Sequence, residues 1–315
     1  MGTSDDRQTT LVIHPGALGD VLQSVPALRA LRCCGPLAFS GQARFGRLLD
    51  ALGVIDAALP FDTLGLEALF TREPLPSSLV TRLAGFDQIV SWFGAKDDVY
   101  RARLRAIAKD SVVVPSQPAE GSHLSVWQHL LATTGREMES HDRPEIAPID
   151  PRGSCREGAA RTLATLGVLP SRPMLVVHPG AGGVSKLWPV ERYARVVDWM
   201  MSAAGVQILI HRGPADAEVA ERLSRLLDGR AAHLVEPELP LLAAVLARAA
   251  AYLGGDSGVS HLAAAVGAPA VILFPPATRE RWAPWSPTAC CLTMRSDDDQ
   301  VDEVTAALGA AMRAS

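Results

Sequence analysis

Three short stretches carry residues whose types and spacing suit chemistry. In "GGDSGVSHLAAAVGAPAVILF" an acid, a hydroxyl, a glycine and a histidine (Asp256, Ser257, Gly258 and His261) fall between an apolar run and a small-residue helical pattern. A strand that ends there and a helix that begins there present free backbone N–H groups and the positive end of a helix dipole, which favour an anion. Gly258 lets a ligand approach the backbone closely. Ser257 caps the helix or touches the ligand, and His261, in the first turn, is placed to donate to a phosphate or a hydroxyl. Asp and Ser are also ordinary caps, so a cap box over a packed histidine accounts for the same residues.

The second stretch, "GALGD" at 16–20, ends in an acid at a helix start. Asp20 reads as a carboxylate available as a general base, or as a cap. The third, "GAGGVSKLWP" at 180–189, sets Lys186 beside a helix that opens on Pro189. Pro suits the first helical position, Trp188 is placed to staple the helix, and the lysine suits a phosphate; it reads equally as a solvated charge. Neither turn is G-x-G-x-x-G or a P-loop, so nicotinamide-dependent and ordinary NTPase chemistry lose ground. In "VYRARLRAIAKD", Arg101 and Arg105 lie one helical turn apart with Lys109 one turn on. That stripe meets an anionic lipid acceptor or is a solvated helix face. Asp297 and Asp299 in "SDDDQ" have the D-x-D spacing of cation-holding acids, but they adjoin the C-terminal helix and read as a turn and a cap. Asp97-Asp98 lacks even the spacing.

The elements that must position these residues form a weak repeat. "TLVIHPGALGDVLQSVPALRALR" (10–32) and "MLVVHPGAGGVSKLWPVERYARVVDWM" (174–200) each start with a β-branched apolar run, read His-Pro-Gly-Ala, and pass into helical periodicity. Val21, Val25, Leu28 and Leu31 recur at three- and four-residue spacing in one copy, and Tyr193, Val196, Val197 and Met200 in the other. Strand, glycine turn and helix open a parallel α/β domain, so two copies predict two such domains. Residues 36–40, 87–92 and 111–114 read as further strands of the first half, and 206–211, 251–255 and 270–274 as strands of the second. Residues 217–227 and 239–250 read as helices, 135–173 as a linker rich in Pro, Arg and acids, and 299–315 as a closing helix.

Composition narrows the function. A chain of 315 residues suits two domains at about 100–200 residues each. A net charge of −4 and 5% aromatic residues offer neither an electrostatic nor a stacking surface for nucleic acid. No apolar run reaches the ~18 residues of a membrane span, and "MGTSDDRQTT" is no signal peptide, so a cytoplasmic chain is expected. The adjacent pairs Cys33–Cys34 and Cys290–Cys291, with Cys155 alone, lack zinc spacing and read as reduced, mostly buried thiols.

Taken in order, "GALGDVLQSVPALRALR", "HPGAGGVSKLWPVERYARV" and "GGDSGVSHLAAAVGAPAVILF" resemble glycosyltransferase family 9, the ADP-heptose:lipopolysaccharide heptosyltransferases. The resemblance covers most of the chain and is strongest at 10–32 and 174–275. It implies an α/β chain of the GT-B fold, two Rossmann-like domains with parallel sheets facing a central cleft. Residues 1–150 would bind the acceptor and 151–315 the nucleotide sugar, with the terminal helix packing back on the first domain. It implies Asp20 as the catalytic base, with Gly19, Arg101 and Arg105 on the acceptor side. Lys186 would bind the donor diphosphate with Gly182 and Ser185 alongside; Asp256 would hold the donor sugar; Ser257, Gly258 and His261 would complete the phosphate cradle. The chemistry implied is an inverting, metal-independent and cofactor-free transfer of a heptose or related sugar. The donor would be ADP-heptose-like and the acceptor a lipopolysaccharide core or similar glycolipid, met with at most peripheral contact with the inner membrane face. A sugar-nucleotide-binding protein without transfer activity and a GT-B-like sugar-nucleotide epimerase are the alternatives. The chain departs from the family at His14-Pro15, where a basic residue is common, and at "FPPATRERWAPW", where Pro275 replaces a glycine and an expected acid is missing. The 275–287 loop is therefore expected to shape its pocket differently.

Overall fold

A computed structural model describes residues 8–135 and 147–313. Contacts divide the chain into two compact units, Met1–Pro144 and Glu145–Ser315. Among the described residues of the first, strands β1 (Thr10–Ile13), β2 (Leu37–Gly41), β3 (Ala57–Pro60), β4 (Gln88–Ser91) and β5 (Asp110–Val113) form a sheet in the order β3-β2-β1-β4-β5. In the second, β6 (Met174–His178), β7 (Gln207–Arg212), β8 (Ala232–Val235), β9 (Ala251–Gly255), β10 (Ala270–Phe274) and β11 (Ala289–Thr293) form a sheet in the order β11-β10-β9-β6-β7-β8. Every pairing in both sheets is parallel.

Parallel neighbours need crossovers, and helices supply them. In the first unit α1 (Leu18–Gln23) and α2 (Val25–Arg32) follow β1, α3 (Ala43–Ala51) follows β2, α4 (Ser77–Leu83) follows β3, α5 (Asp98–Ile107) follows β4 and α6 (Val126–Ala132) follows β5. In the second, α7 (Gly153–Thr165) precedes β6, and α8 (Val190–Ala204), α9 (Ala217–Leu226), α10 (Leu239–Leu246), α11 (Gly258–Ala265), α12 (Arg279–Trp282) and α13 (Asp299–Arg313) follow β6 to β11 in turn. Each chain path starts near the middle of its sheet, winds outward, then returns to the other side. The reversal falls between β1 and β4 in one sheet and between β6 and β9 in the other. Ligands of such sheets bind outside the carboxyl ends of the strands at that reversal.

Of the strands read from apolar runs, β1, β2, β6, β9 and β10 are buried along their whole length, β4 and β7 nearly so, and β5, at a sheet edge, only in part. Sequence reading missed β3, β8 and β11. All three are edge strands, and each is at least partly exposed, so none needs a continuous apolar run. The helical period read through Val21, Val25, Leu28 and Leu31 spans two helices, broken at Ser24 where Pro26 removes a donor. Ser24 Oγ instead bonds the Val21 carbonyl at 2.6 Å.

The stretch read as a linker is not one throughout. Residues 153–165 form α7, which buries Ala159 and Leu163 and packs on α10; residues 136–146 lie outside the described ones. In the terminal helix α13, Val301, Val304 and Leu308 belong to the second unit's own core, against α8, β9, β10 and β11. Trp188 helps to fasten it, being buried with its indole N–H donating to Gln300 of α13 at 3.0 Å. Pro189 caps α8 rather than opening it. The cysteines are free but none is buried, because they fall at a helix end, on the exposed side of α7 and on the edge strand β11.

Candidate active site

In the second unit the reversal brings three loops together. Lys186 ends a short 3₁₀ turn (Val184–Lys186) after β6, Asp256 follows β9, and Thr278 follows β10. Lys186 Nζ and Asp256 Oδ2 are 2.8 Å apart, the carboxylate buried and the ammonium a third exposed. The Thr278 hydroxyl donates to the same oxygen at 3.4 Å, and His261 Nε2 stands 4.0 Å from the other. A buried carboxylate without a partner is costly, so Lys186 is pinned where it also meets solvent. Of the residues singled out by sequence, Lys186, Asp256, Ser257, Gly258 and His261 thus lie together, while Gly182 and Ser185 are exposed in the loop leading to Lys186.

Local sequence builds this corner. Ser257 is the N-cap of α11, its hydroxyl accepting from Ser260 N at 3.3 Å, and Gly258 is the helix's first residue. Ser260 Oγ bonds the Gly255 carbonyl at 2.5 Å and the Tyr252 hydroxyl at 2.8 Å, which ties the helix start to the end of β9. The first N–H groups of α11 therefore point out of the strand ends, beside a cation. His261 is buried behind Asp256, its ring 6.4 Å from that of Phe274. A cavity of about 690 Å³ opens beside the same loop, bordered by Gly182, Gly183 and Leu187 and by Asp216, Glu218 and Arg222. That volume suits a small-molecule ligand.

Beneath the loop lies a group that sequence reading did not single out. His178 ends β6 and His211 lies in β7; their Nδ1 atoms are 3.1 Å apart, and His178 Nε2 is 3.9 Å from Asp216 Oδ2. Burial, with the neighbouring imidazole second, pushes His211 down to about 3. Burial lowers His178 too, against the pull of Asp216. A Cβ on Gly180 would run into the Asp216 carboxyl, so only glycine lets the loop pass. The His-Pro-Gly-Ala repeat was the available signal for His178; nothing local marked His211, Asp216 or Thr278.

In the first unit Asp20 stands at the reversal between β1 and β4. It is the third residue of α1 and reaches back to accept from Ala17 N at 2.9 Å, so it is a capping-box acid rather than the cap itself. It is half-buried, and Gly19 precedes it in the same turn. Asp97 caps α5 by accepting from Tyr100 N at 2.8 Å. Arg101 lies near that start, paired with Asp98. Arg105 is one turn further from the carboxyl edge, because α5 runs back along the sheet.

Asp297 is held by Arg295, at 2.9 and 3.2 Å, and Asp299 opens α13. Among the described residues no three His, Cys, Asp or Glu side chains are grouped to hold a metal ion.

Two doubly wound parallel sheets in one chain are the architecture of the GT-B fold. A family model for glycosyltransferase family 9 (heptosyltransferase) matches residues 77–307, and the chain belongs to that family. The match begins after the Gly16–Asp20 turn. Among solved structures the chain is similar to a family 9 glycosyltransferase from Veillonella parvula (17% identity, TM-score 0.77, 100% of this chain and 99% of that one). It is also similar to the ADP-heptose lipopolysaccharide heptosyltransferase II of Escherichia coli (19% identity, TM-score 0.71, 97% and 99%). Among curated relatives it is 27% identical to lipopolysaccharide heptosyltransferase 3 of E. coli K12 over 136 residues, 42% of this chain and 39% of that one. The curated relatives it matches are covered over 30–50% of their own length.

Proposed function

We propose that the protein is a glycosyltransferase that moves a heptose or related sugar from an ADP-activated donor to a lipopolysaccharide core or similar glycolipid. The observation that carries this is the Lys186–Asp256 pair at the reversal of the second sheet, beside the start of α11. It offers a fixed cation and free N–H groups to a diphosphate, and Asp256 a buried acceptor to sugar hydroxyls. Family membership supplies the reaction class.

The reaction is an inverting single displacement. Asp20 takes the proton of the acceptor hydroxyl as its oxygen bonds the anomeric carbon, and the nucleoside diphosphate leaves from the opposite face. Lys186 and the α11 amides meet the charge that develops on the leaving oxygen, and they are oriented before the reaction. This needs no metal, because the positive potential is already in the chain. Asp297, spent on Arg295, is no spare ligand. The reading implies a cytoplasmic enzyme that meets its acceptor at the inner membrane face. No helix among the described residues is long and apolar enough to cross a membrane.

Incubation with ADP-heptose and a heptose-free core lipid separates this reading from its rivals. Transfer yields a longer glycolipid, epimerisation a changed nucleotide sugar, and simple binding neither. Transfer should also survive exhaustive EDTA treatment; activity lost to EDTA and restored by Mg²⁺ or Mn²⁺ would overturn the metal-free mechanism.

A further inference from the structure

The first unit holds a buried titratable group that the mechanism above leaves idle. His14 follows β1 directly, is 2% exposed, and its Nε2 has no hydrogen-bond partner. Buried ring nitrogens are nearly always bonded, so an orphan beside a polar turn calls for a reason. The ring is not loose. Trp92, after β4, meets it edge-on at 5.5 Å. The Trp92 indole N–H donates to Thr133 Oγ1 at 2.9 Å, and that hydroxyl donates to the Leu130 carbonyl at 2.6 Å. Indole and imidazole are thereby fixed from the end of α6.

Gly16 shows where the fixed ring is aimed. A Cβ there would lie 2.8 Å from His14 Cε1, 2.8 Å from Asp20 Cβ and 3.3 Å from Asp20 Oδ2. Ring edge and carboxylate thus both crowd the same point, within about 6 Å of each other. Gln42 holds the same turn from another side, donating to the Gly16 carbonyl at 3.2 Å.

We propose that His14 is a positioning residue for Asp20, acting across Gly16 to set the place and the electrostatic surroundings of that carboxylate. The inference rests on the reading of Asp20 as the base. Burial favours the neutral imidazole, and Asp20 is the charged side chain that opposes it. Trp92, packed on the ring, carries no charge, and a backbone hydrogen bond with Asp20 acts on the ring in the same sense as its carboxylate. A neutral ring fills the space beside Asp20 without placing a cation against it. Protonation would put an imidazolium there and weaken the carboxylate as a proton acceptor. Turnover then requires two deprotonated groups, Asp20 and His14, on the acid side.

The test is the pH profile of kcat for wild type, His14→Phe, His14→Gln and Asp20→Asn, with ADP affinity measured alongside. The wild-type acid limb should fall with a slope approaching two. His14→Phe should lower kcat by about tenfold to a hundredfold, the scale of a misplaced catalytic group, and its limb should fall with a slope of one. His14→Gln, neutral and polar, should recover most of the rate and keep the slope of one. ADP affinity should stay within about twofold throughout. A His14 residue that only fills space would cost stability without changing the slope. A slope of two retained in His14→Gln, or His14→Phe turning over at the wild-type rate, overturns the proposal; if the Phe variant does not fold, the slope of the Gln variant decides. An inactive Asp20→Asn beside normal His14 variants refutes His14 alone. An active Asp20→Asn refutes the base itself.

Discussion

His14-Pro15-Gly16-Ala17 follows the first strand of one unit, and His178-Pro179-Gly180-Ala181 the first strand of the other. In both, the histidine is buried at the strand end and the glycine is wedged against a carboxylic acid. The acids differ in origin. Gly16 meets Asp20, from the same turn of chain, whereas Gly180 meets Asp216, the N-cap of α9 beyond the next strand. His14 packs on an indole and keeps a nitrogen unbonded, while His178 shares a hydrogen bond with His211. The first turn holds its acid, partly exposed, by the Ala17 amide of the same turn. The second holds Asp216, itself partly exposed, against the Gly213 amide and beside His178. One tetrapeptide serves as a turn that holds its own acid or as a foundation held by a distant one, according to what the neighbouring strand brings.

The largest effect should come from the acid of the first turn. Asp20→Asn should lower kcat by roughly 10²–10⁴ and leave ADP affinity nearly unchanged; a variant that loses ADP binding instead would put the base in the wrong role. The histidines beneath the second turn are tested through stability. Burial lowers both His178 and His211, and His211, held down to about 3 when folded, titrates near 6.5 when unfolded, so the unfolded chain binds more protons below that pH. The His211 contribution is whole above pH 6.5 and declines as pH falls toward 3. Denaturant midpoints should report a loss on the order of 3 kcal/mol between pH 6.5 and 4. His211→Gln should flatten that slope, and an unchanged slope would remove the pair from the foundation.

Lys186→Met comes next. It removes a charge-assisted contact and leaves Asp256 buried without its cation, so calorimetry should show donor or ADP binding weaker by ~1.5–3 kcal/mol. Equal affinity together with equal kcat/KM would show that the second unit's chemistry lies elsewhere. The smallest effect belongs to α5. Reversing Arg101 and Arg105 to Glu should raise the acceptor KM by about tenfold at most, in line with exposed charges, without altering donor binding. Unaltered acceptor kinetics would leave these residues as a solvated helix face.

Much of this was legible without coordinates, for a local reason. A buried central strand writes a continuous apolar run, a glycine turn writes its own residues, and a helix writes its period, so β1, β6, β9, β10 and the turns at Asp20, Lys186 and Asp256 could be read in place. Residue types fixed the candidate chemistry too: an acid at one turn, a lysine and an acid at two others. Tertiary structure decided what pairs with what. Lys186 and Asp256 meet because β6 and β9 are neighbours, an order set by the packing of the whole unit. The edge strands β3, β8 and β11 and the helix α7 were hidden because a half-exposed element needs no apolar run. Whether a histidine is neutral, shared or orphaned depends on how completely its surroundings exclude water. Those surroundings come from elements distant in sequence, so two identical tetrapeptides could not reveal that His14 faces Asp20 while His178 faces His211 and Asp216.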